Sequence, residues 1–279
     1  MSLPGDATTD FYDALAPMFD VMTDWQARLA AEGPFLRAVL DQAAAVRVLD
    51  AACGSGGHAL ALAGWGYSAA GADASEGMIA LARAKAAAAR QNVPFTVADL
   101  ASLPAHISGG ATDGSAPGSG QAEQAPFDAV LCLGNSLPHL LDQAELMAAL
   151  RGIAGVLKPG GLFVTQNLNY DLRWKAQPRF FAAQGGQLDG QDVLVWRFAD
   201  YDLAAGRIAF NIALFRKNAS GWEVQVHTTP QRPLFRADMH AALAETGFAE
   251  IRDFGRMAVP FEPFDPDKSG DLVVTARKQ

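Results

Sequence analysis

Apolar positions follow two different periods along the chain, and the switch between them divides it. Residues 10–43 carry Phe11, Leu15, Met18, Phe19, Met22, Trp25 and Leu29 at mixed helical spacing, with Pro17 and Gly33-Pro34 as breaks, which predicts short helices. The run Val-Arg-Val-Leu-Asp-Ala at 46–51 is β-branched and largely apolar, the composition of a strand covered on both faces in a parallel sheet. A second strand at 67–73, a helix at 75–90 opened by a Ser75 cap and a third strand at 94–99 repeat that form. A fourth strand at 127–135, a helix at 142–157, a turn at KPGG and a fifth strand at 162–167 continue it. From about 171 to 232 the period becomes two, in VLVWRFADYD, GRIAFNIALFRK, a turn at NASG and WEVQVHTT, which predicts an antiparallel meander. A helix at 235–246 and strands at 248–255 and 271–278 restore the alternation. The expected organisation is N-terminal helices and an α/β core over 1–170, a β-rich cap insertion over 171–232, and a return to the core over 233–279.

Composition narrows the class of partner. The 279 residues are 50% hydrophobic and 19% charged, an ordinary globular balance in which one large α/β unit can absorb the whole length. With 22 basic and 30 acidic residues the net charge is −8, which argues against a nucleic acid or an anionic membrane and favours a small molecule. A homo-oligomer is left open. The two cysteines, Cys53 and Cys132, form no CxxC pair, and the histidines are scattered, so neither a disulfide framework nor a metal site is expected. The opening MSLPGDATTD has no basic cluster and no apolar run, so no secretory signal is expected and the expected compartment is the cytoplasm. The uncharged stretch 51–72 is interrupted by glycines and does not resemble a membrane span. Residues 108–126, rich in Gly, Ser, Ala and Pro, are expected to form an exposed loop without chemistry.

The densest chemical signal lies in the first strand and the glycine loop after it. The strand ends at Asp50, the loop Ala52-Cys53-Gly54-Ser55-Gly56 comes next, and a helix begins near Gly57. In open parallel sheets ligands sit at the carboxyl ends of the strands beside the point where the winding reverses. Gly54, Gly56 and Ala59 give a G-x-G-x-x-A spacing that removes side chains from the path of a ligand. Asp73, 19 residues beyond Gly54, lies where a carboxylate can accept two ribose hydroxyls, an arrangement shared by NAD and S-adenosylmethionine. Asp50 separates the two ligands: an acid before the loop repels a pyrophosphate and suits an ammonium. Asp99 stands where it could accept from an adenine amino group, with Met78 and Leu100 covering the ring. Some forty residues precede the first strand and can close over a bound small molecule. The joint pattern favours S-adenosylmethionine.

VLDAACGSG, GADAS, VADL and LKPGG, in that order, resemble the motifs of class I S-adenosylmethionine-dependent methyltransferases. A narrower resemblance, to glycine and sarcosine N-methyltransferases, rests on LDAACGSGG, ADASEGMIALA, FDAVLCLGNSLPHL and the NYD at 169–171. The resemblance implies an α/β fold with a Rossmann-like seven-stranded methyltransferase sheet, helices on both faces, and the antiparallel insertion as a cap. It implies that Asp73 binds the ribose, that Met78 lines the adenine, and that Leu133, Gly134 and Asn135 run along the methionine end of the cofactor, with Ala74 also among the cofactor-binding residues. Asn135, Ser136 and His139 would face the reaction space, and Tyr12 and Trp25 would close over the cofactor. One departure stands out: Leu168 occupies the position where the glycine enzymes carry an arginine before N-Y-D, and leucine cannot form a charge-assisted clamp on a carboxylate. Arg232, between prolines in TTPQRPLF, and Arg173 are the candidate replacements.

The expected activity is methyl transfer to a small-molecule acceptor, most readily an amine nitrogen, with S-adenosylhomocysteine as product. In-line transfer from a sulfonium needs alignment rather than a covalent intermediate, so Asn135, His139 and Tyr170 are the expected polar catalytic groups. The alternatives are an oxygen or carbon acceptor, an NAD-dependent oxidoreductase, and a binding protein without transferase activity.

Overall fold

The computed structural model describes residues 4–107 and 126–279, so the expected loop at 108–126 lies, apart from Pro126, outside the described residues. The N-terminal segment forms α1 (Pro4–Leu15), a short 3-10 helix (Ala16–Val21) and α2 (Trp25–Gln42). The expected break at Gly33-Pro34 does not occur: α2 runs through both residues. Gly33 leaves room for the Trp65 ring, which would stand 3.0 Å from an added Cβ, and Phe35, Leu36, Val39 and Leu40 beyond the proline are buried. Tertiary packing thus outweighs the loss of one helical hydrogen bond at Pro34.

The core alternates as expected through β1 (Arg47–Ala51), α3 (Gly57–Gly64), β2 (Ser68–Asp73), α4 (Glu76–Ala89), β3 (Phe95–Val97), α5 (Leu103–Ile107), β4 (Phe127–Cys132) and α6 (Gln143–Val156). Ser75 caps α4 by accepting from the Met78 amide at 3.0 Å, and Asp142 with Glu145 closes a capping box on α6. β5 (Leu157–Leu168) begins earlier than expected because KPGG enters the strand instead of turning ahead of it. Two further departures concern the cap. The segment expected to open the meander first forms α7 (Tyr170–Ala176), capped by Asn169, and the cap has an additional strand, β6 (Gln184–Leu188), whose QGGQL has no apolar alternation to announce it. The cap sheet is completed by β7 (Gln191–Asp202), β8 (Arg207–Asn218) and β9 (Gly221–Gln231), and the chain closes with α8 (Arg236–Glu245), β10 (Phe248–Phe254) and β11 (Asp271–Lys278).

The large sheet has seven strands in the order β10-β11-β5-β4-β1-β2-β3, parallel except for β11, which runs antiparallel to both its neighbours. The winding reverses between β1 and β4, so their carboxyl ends open a crevice. Alternate strand residues divide the core. Leu49, Val130, Phe163 and Val274 meet α6 and α8 on one face, while Val48, Leu131, Val164 and Val273 meet α2, α3 and α4 on the other. A third cluster joins Phe11, Leu15, Met18 and Met22 to Val193, Val195, Ile212 and Leu214, which fixes the four-stranded cap sheet against the N-terminal helices above the crevice. No described helix is long and apolar enough to cross a membrane.

Candidate active site

A cavity of about 530 Å³ opens at the carboxyl ends of β1 to β4. It is lined by most of the residues the sequence singled out for a cofactor: Asp50, Ala52, Cys53 and Gly54 from the first loop, Asp73, Ala74 and Met78 from the second, Asp99 and Leu100 from the third, and Leu133, Gly134 and Ser136 from the fourth. Tyr12 and Trp25 close it from the N-terminal side. Gly56 does not line it but makes it possible. Its φ is +78°, and an added Cβ would meet Ala82 and Phe95 at 2.9 Å. Ala52 and Asn135 also adopt left-handed backbone conformations, with φ of 59° and 64°, at the ends of β1 and β4.

The carboxylates on this wall differ in their partners. Asp73 accepts from the Gly54 amide at 2.8 Å and from the Ser75 amide at 3.0 Å, tying the glycine loop to the end of β2, and burial raises its pKa. Asp50 is 1% exposed, and its Oδ2 has no hydrogen-bond partner among the described residues. Burial pushes its carboxyl up to about 6, against the opposing influence of His58 and the Ala59 amide. An orphaned buried acid facing the cavity needs a cationic donor, which the ammonium of S-adenosylmethionine would supply. Asp99 accepts from the Ser102 amide at 2.8 Å and is exposed at the rim. The donor set therefore fits the expected cofactor.

Two networks that the sequence did not announce hold this wall in place. Asp20 Oδ1 accepts from Trp25 Nε1 at 2.7 Å, Ser55 Oγ at 2.7 Å and Lys85 Nζ at 3.1 Å, which pins the 3-10 helix to the glycine loop. Glu32 accepts from His58 Nε2 at 2.7 Å and from Arg28 Nε at 3.0 Å, and these bonds outweigh burial and hold its carboxyl below the usual range. No motif links such residues, because their partners lie 26 or more positions away on other elements for all but Arg28 and Trp25.

A second chamber of about 350 Å³ lies between the first cavity and the cap. The two share Tyr12, Phe19, Arg28, Gly134 and His139. One chain of hydrogen bonds crosses this boundary. Asn135 Oδ1 accepts from the Leu168 amide at 3.0 Å, Asn135 Nδ2 donates to Tyr170 Oη at 3.1 Å, and Tyr170 donates to Gln231 Oε1 at 3.2 Å. Gln231 Nε2 and Tyr12 Oη then converge on His139 Nε2 at 3.2 and 3.0 Å. Tyr170 is buried and lines neither cavity, while Asn135 lines the second. Arg232 reaches Gln143 at 3.4 Å and Arg173 lies over the Phe181 ring, so neither lines either cavity. Among the described residues no group of His, Cys, Asp or Glu could hold a metal ion. Both cysteine thiols are buried and their pKa values raised, which keeps them protonated and unreactive.

Burial lowers the pKa of His139 from 6.5 to about 4, although a bond to the Pro230 backbone opposes it. We place the proton on Nδ1, leaving the Nε2 lone pair to accept from Tyr12 and Gln231. The unfolded chain takes up this proton before the folded one, so stability is intact above pH 6.5 and is lost as the pH falls through about 4. His139→Gln should remove about 2 kcal/mol of the stability difference between pH 7 and pH 5, read from urea unfolding at both values. An unchanged difference would mean that His139 titrates freely.

Comparison with known proteins agrees with this geometry. A family model described as a methyltransferase domain matches residues 48–161. The glycine/sarcosine N-methyltransferase of Parasynechococcus marenigrum is 29% identical over 92% of this chain and 82% of its own length. Rat glycine N-methyltransferase is 35% identical over 53% of this chain and 49% of its own length. Among solved structures, the sugar N-methyltransferase KedS8 from Streptoalloteichus superposes with a TM-score of 0.66 at 25% identity, covering 90% of this chain and 88% of that one. The motifs at the strand ends, the crevice they line and these relatives lead to one conclusion: this chain is an S-adenosylmethionine-dependent methyltransferase, similar in sequence to glycine/sarcosine N-methyltransferases.

Proposed function

We propose that this enzyme methylates an amine nitrogen of a small molecule held in the chamber beneath the cap. The observation that carries the proposal is the second chamber itself. It shares Gly134, Tyr12 and His139 with the cofactor cavity, and Arg197, Phe210, Ile212 and Gln231 of the cap sheet form one of its walls. The relatives whose names specify N-methylation of glycine and sarcosine support the choice of nitrogen. Asp50 and Gly54 would hold the amino-acid end of the cofactor, Asp73 the ribose, and Met78, Asp99 and Leu100 the adenine. S-adenosylmethionine supplies an electrophilic methyl group on a sulfonium and is left as S-adenosylhomocysteine.

The protein's own groups align the acceptor and exclude water. The amine must reach the methyl carbon with its lone pair free, so it loses its ammonium proton before the new N–C bond forms. Burial raises the Tyr12 pKa, with Asp73 adding to the effect, and keeps the phenol neutral, while His139 is neutral above about pH 5. Neither carries a charge that would repel or trap an entering amine. The Asn135 amide is committed to Leu168 and Tyr170, so it shapes the wall at the end of β4 by holding its own backbone in place.

Release of S-adenosylhomocysteine above an enzyme-only blank, with glycine, sarcosine and less polar amines supplied in turn, tests the proposal. Mass spectrometry of the product should place the added methyl on nitrogen. Methylation at oxygen or carbon, or no amine accepted by cofactor-loaded enzyme, would overturn it.

A further inference from the structure

Arg197 stands on the inner face of β7, where Val193, Val195 and Ala199 are 3%, 1% and 3% exposed. The strand's period of two sends all four side chains to the same side. A guanidinium therefore occupies a row otherwise given to apolar packing, with Ile212 opposite it on β8. Its side chain lines the second chamber and donates one N–H to Gln184 Oε1 at 2.6 Å. Among the described residues no carboxylate forms an ion pair with it. Burial draws its pKa down, with no neighbouring acid to restore it. The other two charges on the chamber wall, Arg28 and Glu32, pair with each other at 3.0 Å. The chamber is thus left one positive charge in excess, on a residue that the lining of the cofactor cavity does not include.

Arg197 is half-buried and has no counter-charge among the described residues, so it is partly desolvated, and an incoming anion offsets that loss. A guanidinium fork matches a carboxylate in two parallel hydrogen bonds, and the bond to Gln184 limits the rotation of the fork before the ligand arrives. Beside Arg197 the chamber is lined by Leu15, Met22, Leu168, Phe210 and Ile212, an apolar surface interrupted by Thr23, Asn135, Gln166 and Gln231. We infer that Arg197 binds a carboxylate on the methyl acceptor, and that the acceptor carries an apolar body between this carboxylate and the amine. The inference rests on the amine acceptor proposed above for the nitrogen, but not for the anion. It places recognition of the acceptor's charge on the cap, opposite Leu168.

Calorimetry on the protein loaded with S-adenosylhomocysteine tests it without requiring turnover. Matched pairs with and without a carboxylate serve as probes: 4-aminobutyrate and butylamine, 5-aminovalerate and pentylamine, 6-aminohexanoate and hexylamine. In at least one pair the carboxylate member should bind about tenfold or more tighter. Arg197→Gln should reduce that advantage to within about twofold, and Arg197→Lys should restore part of it. Arg179→Gln, an exposed cap residue paired with Asp200, should leave the advantage unchanged. Carboxylate members that bind no better than their partners, or an advantage that survives Arg197→Gln, would overturn the inference. Should Arg197→Gln fail to fold, the comparison in the unaltered protein and Arg197→Lys decide the question. A carboxylate held through Arg197 in an acceptor methylated on oxygen or carbon would leave this inference standing and remove the amine proposal.

Discussion

Asp50→Asn is expected to weaken S-adenosylhomocysteine binding about a hundredfold, roughly 3 kcal/mol, while the ligand-free protein melts no earlier than the unaltered one. The two effects have one cause. Asp50 is buried with an orphaned Oδ2, and its pKa rises from 3.8 to about 6, so ionising it in the empty protein is unfavourable. The stability this group contributes is present below about pH 3.8 and is lost as the pH rises through about 6. An amide has no such ionisation, and at neutral pH the variant avoids that loss. When a ligand ammonium arrives, the carboxylate becomes the favoured form and the amide cannot replace it.

Affinity should therefore depend on pH with the opposite sign to the empty protein's stability. In the unaltered protein binding should be constant above about pH 7 and should weaken toward about tenfold per unit below about pH 6, and Asp50→Asn should abolish that dependence. Calorimetric titration from pH 5 to pH 8, beside thermal melts of the ligand-free proteins, measures both. A variant that binds normally, or that melts well below the unaltered protein, would assign Asp50 to the fold and not to the ligand.

The second large effect is expected from steric contact alone. Gly152 lies inside α6, and an added Cβ would stand 2.0 Å from the Leu100 carbonyl oxygen and 2.9 Å from that of Ala101. These are backbone atoms and cannot rotate away. Gly152→Ala should therefore destabilise the protein by about 2 kcal/mol or more, overpacking outweighing the roughly 1 kcal/mol that alanine gains in a helix. The displaced segment carries Asp99 and Leu100, so cofactor affinity should fall as well. Gly64→Ala is the contrasting case. The nearest atom to its added Cβ is Gln91 Nε2 at 3.6 Å, and the change should be neutral or stabilising by up to about 1 kcal/mol. Urea midpoints of the two variants should move in opposite directions. If both fell alike, the close approach of α6 to residues 100–101 would not be the cause.

The order of elements and most of the cofactor wall were legible in the sequence, because both rest on local signals. Period two or 3.6 comes from the geometry of one strand or helix, and the strand-end loops carry glycines and carboxylates in a fixed order along the chain. This is why Asp50, Gly54, Asp73, Met78 and Asp99 could be placed before any contact was known. Signals failed where local preference met a tertiary constraint. Gly33-Pro34 reads as a helix break, yet α2 passes through it because Trp65 and the buried residues beyond reward continuity. QGGQL shows no strand period, yet it pairs residue by residue with β7 as an edge strand.

The second chamber was the part that only the three-dimensional arrangement decided. Arg173 and Arg232 suggested themselves by nearness in sequence to N-Y-D and to the return from the cap, but their side chains end on Phe181 and Gln143. The cation that lines the chamber without an ion-pair partner among the described residues, Arg197, lies 29 residues after Leu168, in a strand whose alternation marks the position only as inward-facing. A chamber formed by α1, α2, the ends of β4 and β5, and the inner face of the cap has no representation in any one segment. Its walls depend on how three apolar clusters pack together, and that is a property of the whole fold.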